Sequence, residues 1–127
     1  ESHYPQLARV CLFDVLVNNA DRKGGHCLMD DEGHIWGIDH GITFNVEHKL
    51  RTVIWDFAGE AVPETLLEGV KALCALLQDA TSSYSQQMNN LLNPREIEAF
   101  QRRIDKVLMT GKYPLPGPGP NYPWPAV

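Results

Sequence analysis

Four side chains in the first third of this 127-residue chain suit phosphate chemistry: Asp21, Lys23, His26 and Asp39. Asp21, Lys23 and His26 lie in Asn18-Asn19-Ala20-Asp21-Arg22-Lys23-Gly24-Gly25-His26, and Asp39 in Gly37-Ile38-Asp39-His40-Gly41. One carboxylate can orient an attacking hydroxyl and take its proton, and a second can hold a divalent cation against phosphate oxygens. An ammonium two residues from the first carboxylate can balance charge that develops on the transferred group. The imidazole of His26 can also ligate a cation, although Mg²⁺ prefers oxygen. Asn19 suits a bracing role, its side chain bonding the loop backbone, and a ligand contact is the alternative.

The spacing narrows the chemistry. His26 follows Asp21 by five residues, the step from Asp to Asn in the protein-kinase catalytic loop. Lys23 stands where many protein kinases carry a phosphate-contacting Lys. Asp39 follows His26 by thirteen positions, room for a hairpin, and Asp39-His40-Gly41 occupies the place of Asp-Phe-Gly. Each residue also has a plainer reading. Asp21 suits a helix-ending turn, Lys23 a solvated loop, and His26 a hydrogen-bonded strand start. His40 either packs or lies against a nucleotide. Asp14, inside an apolar stretch, needs a partner if buried, and the loop or Arg22 is within reach in sequence.

Asn19-Ala20-Asp21-Arg22 followed by Ile38-Asp39-His40-Gly41 resembles the Asn-Thr-Asp-Arg and Ile-Asp-Asn-Gly motifs of type II phosphatidylinositol 4-kinases. More broadly the chain resembles the phosphatidylinositol 3-/4-kinase-like superfamily. The catalytic string, with Lys49-Leu50-Arg51-Thr52-Val53-Ile54-Trp55-Asp56-Phe57-Ala58-Gly59 downstream, is similar to a bacterial family of that superfamily found mainly in actinobacteria. The resemblance runs from about residue 7 to 125. It implies a catalytic Asp21, a metal-binding Asp39, and ATP with Mg²⁺ (or Mn²⁺) as cofactors. Asn19, Lys23 and His40 would border the nucleotide, and His26 would replace the usual metal-binding Asn. No Gly-rich phosphate loop or strand Lys is visible, so the expected partner is an N-terminal lobe of the same protein, preceding Glu1.

Elements must hold these residues. Gln6 to Asn18 is nearly continuously apolar, with Pro5 suited to a first turn, and predicts a buried helix. His26–Met29 and His34–Ile38 flank Asp30-Asp31-Glu32-Gly33 and predict a hairpin. Residues 42–62 read as irregular, with a short strand or helical turn near Val53-Ile54-Trp55. Trp36, Trp55 and Phe57 read as core or groove anchors, and Lys49 and Arg51 as solvent-facing. Pro63 opens an amphipathic helix with its stripe on Leu66, Leu67, Val70, Leu73, Cys74 and Leu77. Tyr84 to Leu92 suggests a shorter helix. Asn93-Pro94-Arg95-Glu96 starts another, which Gly111 ends. From Lys112 to Val127 the Pro-rich tail predicts extended coil draped on the surface, with peptide docking the alternative.

Hydrophobic residues make up 43% and charged residues 21%, an ordinary globular balance. The net charge of −5 disfavours a nucleic-acid partner. No apolar run approaches the roughly 20 residues that span a bilayer. Three isolated cysteines, Cys11, Cys27 and Cys74, suggest buried free thiols in a reducing cytoplasm.

The expectation is an α+β, protein-kinase-like C-lobe over 1–111, mostly helical with a small hairpin beside the catalytic loop, and a tail over 112–127. It would belong to a phosphotransferase that moves the ATP γ-phosphoryl group to a lipid, protein or small-molecule hydroxyl, the chain alone being inactive. The rivals are an interaction domain without turnover and a metal-dependent hydrolase using His26, His34, His40 and Asp39.

Overall fold

The computed structural model describes residues 3–127. Four α-helices and one two-stranded antiparallel sheet make a small α+β domain. Helix α1 spans Tyr4–Val17 with Pro5 in its first turn and buries Ala8, Cys11, Leu12, Leu16 and Val17. It stops at Asn18, whose left-handed backbone (φ 56°) returns its N–H to the carbonyls of Asp14 and Val15. Asn tolerates that conformation better than most residues, which makes it a natural stop.

Strand β1 (Cys27–Met29) pairs with β2 (Ile35–Gly37) in the register Cys27–Gly37, Leu28–Trp36 and Met29–Ile35. The acidic turn is built by Asp30, whose carboxylate accepts from the N–H groups of Glu32 and His34 and from Trp36 Nε1. Gly33 supplies the left-handed step (φ 82°). Trp36 therefore does not anchor the core. It stands 55% exposed on the hairpin, because period-2 alternation directs its side chain outward.

Residues 42–62 are irregular, as expected. The short strand or helical turn anticipated near Val53–Trp55 is replaced by one parallel bridge, Arg22 with Thr52, and a turn over 56–59. Lys49 and Arg51 are half-buried where solvent was expected. Phe44 is held at φ 63°, a conformation that costs a bulky residue about 1–3 kcal/mol. Its N–H bonds Val17 O and its ring stands edge-on to Phe100, contacts that fix it there.

Helix α2 (Glu64–Gln78) packs on α3 (Ser83–Leu91) and α4 (Pro94–Thr110), and α1 crosses α4. The start of α4 is a reciprocal cap: Asn93 Oδ1 accepts from Glu96 N, and Glu96 Oε1 from Asn93 N, both at 2.9 Å. Gly111 (φ 63°) ends it. Between α1, α2 and α4 lies one core containing Leu12, Phe57, Val70, Phe100, Ile104 and Val107. Tyr113, the second residue of the tail, belongs to this core and donates its hydroxyl to Ala8 O at 2.7 Å. No helix of the described residues is long and apolar enough to cross a membrane.

Candidate functional site

The loop after α1 is shaped by a buried polar knot. Asn19 Nδ2 donates to Asp14 Oδ1 at 3.1 Å, while its Oδ1 accepts the Asp21 N–H at 2.9 Å. Asn19 thus braces the loop through its side chain, as its type suggested. Arg22 is the hub. Its Nε and Nη2 donate to the two oxygens of Asp14 at 2.8 and 2.9 Å, and its Nη1 to the carbonyls of His26 and Ile38 at 3.1 and 3.2 Å. Asp14, Asn19 and Arg22 are all fully buried. Burial works against the guanidinium charge, but the hydrogen bonds and charge of Asp14 outweigh it and hold Arg22 above its ordinary value.

The backbone completes the frame. Arg22 N–H bonds Arg51 O, Val53 N–H bonds Arg22 O, and Arg51 N–H bonds Asn19 O, each at 3.0 Å. The catalytic-type loop is zipped to the segment after Asp39-His40-Gly41. On the other side Ile38 N–H bonds His26 O at 2.9 Å, extending the hairpin toward Asp39.

This frame leaves a row of partly exposed groups. Lys23 Nζ lies 3.8 Å from Asp21 Oδ1. His26 Nε2 lies 3.4 Å from Asp39 Oδ2, the imidazole 14% and the carboxylate 64% exposed. Asp39 has φ 60°, a left-handed backbone uncommon outside glycine, and such conformations gather at functional sites. The other ring nitrogen, His26 Nδ1, lies 2.7 Å from Asp21 O and 3.2 Å from the Lys23 N–H, and the tautomer decides which of the two contacts is the hydrogen bond. With the proton on Nε2 the contact to Asp39 is a hydrogen bond to its carboxylate, and with Nε2 bare the nitrogen and the carboxylate oxygen can share a cation. A span of 3.4 Å also suits two donors on one divalent ion, each about 2.0–2.2 Å from it.

Asp21, Lys23, His26 and Asp39 are therefore tied pairwise into one neighbourhood, with Asn19 beneath it. His40 is turned to packing: its ring meets Phe13 edge-on at 5.0 Å and lines a largely apolar cavity of about 200 Å³ with Arg9, Val10, Phe13, Arg22 and Gly37. His34 meets Trp36 edge-on at 4.4 Å. Among the described residues no group of three or more His, Cys, Asp or Glu side chains is placed to hold one ion, so the hydrolase ligand set is not gathered.

Two features were missed in the sequence. Arg22 was read only as a possible partner for Asp14, although a carboxylate buried in an apolar helix demands a fixed counter-charge, and a guanidinium suits it best. The tail also reaches the site. Asn121 O accepts from Thr52 N and Trp55 Nε1 at 3.0 and 3.1 Å, and Ala126 O accepts from Gly24 N at 2.9 Å. Proximity of this kind between residues 66 to 102 apart leaves no local signature.

No protein-family model matches the chain, and no solved structure matches it. Among curated proteins, it is similar to Protein Rv2133c of Mycobacterium tuberculosis (strain ATCC 25618 / H37Rv), with 39% identity over 121 residues. The match takes in 95% of this chain and 42% of that protein, so the chain spans less than half the length of its relative.

Proposed function

We propose that this chain is the C-lobe of an ATP-dependent phosphotransferase of the phosphatidylinositol 3-/4-kinase-like superfamily. The acceptor would be a hydroxyl on a lipid, a protein or a small molecule. The observation that carries the reading is the His26 Nε2–Asp39 Oδ2 approach at 3.4 Å, an imidazole nitrogen and a carboxylate oxygen converging beside Asp21 and Lys23.

In this reading Asp21 orients the acceptor hydroxyl and receives its proton, a task that suits a partly exposed carboxylate. Lys23 faces the transferred group and lowers the cost of its charge. Asp39 and His26 would hold Mg²⁺ or Mn²⁺, which supplies neutralisation of the nucleotide phosphates. An imidazole in place of an amide oxygen favours Mn²⁺ over Mg²⁺ relative to kinases with Asn at this point. Arg22 touches none of the reacting atoms and acts by position, setting the distance between the loop and Asp39. The relative's greater length leaves room for an N-terminal lobe carrying the remaining nucleotide contacts.

Turnover of ATP by the polypeptide extended upstream of Glu1, assayed with Mg²⁺ and with Mn²⁺, tests the reading. Activity that falls at least about a hundredfold in both Asp21→Asn and Asp39→Asn is expected. No turnover with either metal, or turnover indifferent to Asp21→Asn, would sink it.

A further inference from the structure

A second cavity lies on the other side of the α1 terminus. Asn18 and Asn19 are sequence neighbours, yet Asn19 braces the loop at Asp21 while Asn18 turns to the segment 45–49. Asn18 Nδ2 donates to the carbonyls of Asn45 and Glu47 at 3.0 and 2.6 Å, and its Oδ1 accepts the Lys49 N–H at 2.9 Å. Between this segment and α4 opens a cavity of about 150 Å³ lined by Asn18, Val46, His48, Ala99, Arg102, Arg103 and Lys106.

Its charge is one-sided. Ala99, Arg102, Arg103 and Lys106 share one helical stripe at offsets of three, four and seven. Ala99 is buried and small, which leaves room between the long cations. Among the described residues the paired opposite charges are Asp14–Arg22 and Asp21–Lys23, with His26 beside Asp39, and none of these contacts reaches α4. No carboxylate lines the cavity. In a chain of net charge −5, three unpaired cations at one cavity are not a consequence of basic composition.

Arg103 gives the second observation. Its Nε donates to Leu16 O at 2.7 Å and its Nη1 to Asn45 O at 3.2 Å, which closes the end of α1. Its Nη2 is buried with no hydrogen-bond partner among the described residues. An unmet charged donor is costly, and burial together with the charge of Arg102 pushes Arg103 down to about 10. Capping α1 accounts for two of its nitrogens. It does not account for the third, nor for Arg102 and Lys106 standing beside it.

We propose that this cavity binds a phosphate-type oxyanion, held by the exposed donors of Arg102 and Lys106 over the half-buried guanidinium of Arg103. A tetrahedral oxyanion accepts several charge-assisted hydrogen bonds at once and relieves the repulsion between Arg102 and Arg103. The site stands apart from Asp21 and Asp39 and does not depend on what they do. The same chemistry is offered by free phosphate and by a phosphomonoester lipid headgroup.

Calorimetric titration of the chain with inorganic phosphate, and sedimentation with phosphatidylcholine vesicles with and without phosphatidic acid, separate the two sources. Binding in either arm should weaken about tenfold or more in Arg102→Ala/Lys106→Ala and in Lys106→Glu. It should stay within about twofold in the charge-matched Lys71→Ala/Lys112→Ala. These four side chains are exposed, so thermal unfolding should report folded variants throughout. Binding of phosphate assigns a free oxyanion, and binding only to phosphatidic acid vesicles assigns a lipid headgroup. Wild-type chain that binds neither probe, or binding equal in Arg102→Ala/Lys106→Ala, overturns the proposal.

Discussion

Arg22 spans both oxygens of Asp14 at 2.8 and 2.9 Å and reaches the carbonyls of His26 and Ile38 with its remaining donor. One side chain thereby fixes helix α1, the turn after Lys23 and the backbone leading into Asp39. The separation of Asp21 from Asp39 is set by this guanidinium more than by any apolar contact.

Breaking that knot should be expensive. Asp14→Asn or Arg22→Ala should cost about 3–5 kcal/mol in urea unfolding, because each leaves a buried charge without its partner. Replacing both with apolar residues should cost less than the sum of the singles. Additive losses would show that the two are not coupled.

The metal reading makes the opposite demand on stability. Asp39 is mostly exposed, so Asp39→Asn should shift stability by less than about 0.5 kcal/mol. The same substitution and His26→Ala should each weaken Mn²⁺ binding at least about tenfold by calorimetry. Unchanged Mn²⁺ affinity in both would remove the metal from this pair.

The thiols should differ in reactivity. Burial, then the charges of Asp14 and Asp56, push the Cys11 thiol from 9.0 to about 12. At pH 8 iodoacetamide should modify half-buried Cys74 at least about tenfold faster than Cys11 in the folded chain. Mass spectrometry of peptides checks the order.

Alkaline stability follows from the same groups. Cys11 keeps its proton in the folded chain where the unfolded chain loses it, and burial raises the Tyr113 phenol likewise. The folded state then holds more protons than the unfolded state above pH 9. Stability is complete below that value and declines as the pH climbs toward about 12. A Cys11→Ser chain should show a shallower decline between these limits in denaturant titrations.

The tail contact is testable through exchange. Trp55→Phe removes the Nε1 donor to Asn121 O and should cost about 0.5–1.5 kcal/mol locally. Hydrogen exchange at the Thr52 and Gly24 amides should speed up together if the tail docks as one unit. Faster exchange at Thr52 alone would separate the two contacts.

Helix α4 was the most legible because it carried its own start, stripe and stop. Asn93 and Glu96 closed α4 reciprocally, and Gly111 ended it, through bonds between residues no more than four apart. The hairpin was legible for the same reason, since Asp30 and Gly33 build their turn locally. Trp36 was misjudged because composition alone does not say which face of a two-stranded sheet is covered.

By itself the sequence determined most of the elements and the order and spacing of the motifs, all properties of short stretches of chain. Tertiary structure alone decided that Arg22 ties Asp14 to His26 and Ile38, and that the tail reaches Gly24. It alone left Arg102, Arg103 and Lys106 around one cavity with no carboxylate among its lining residues. These depend on which groups lose water together. Burial and counter-charge are set by distance in space, which local pattern does not encode.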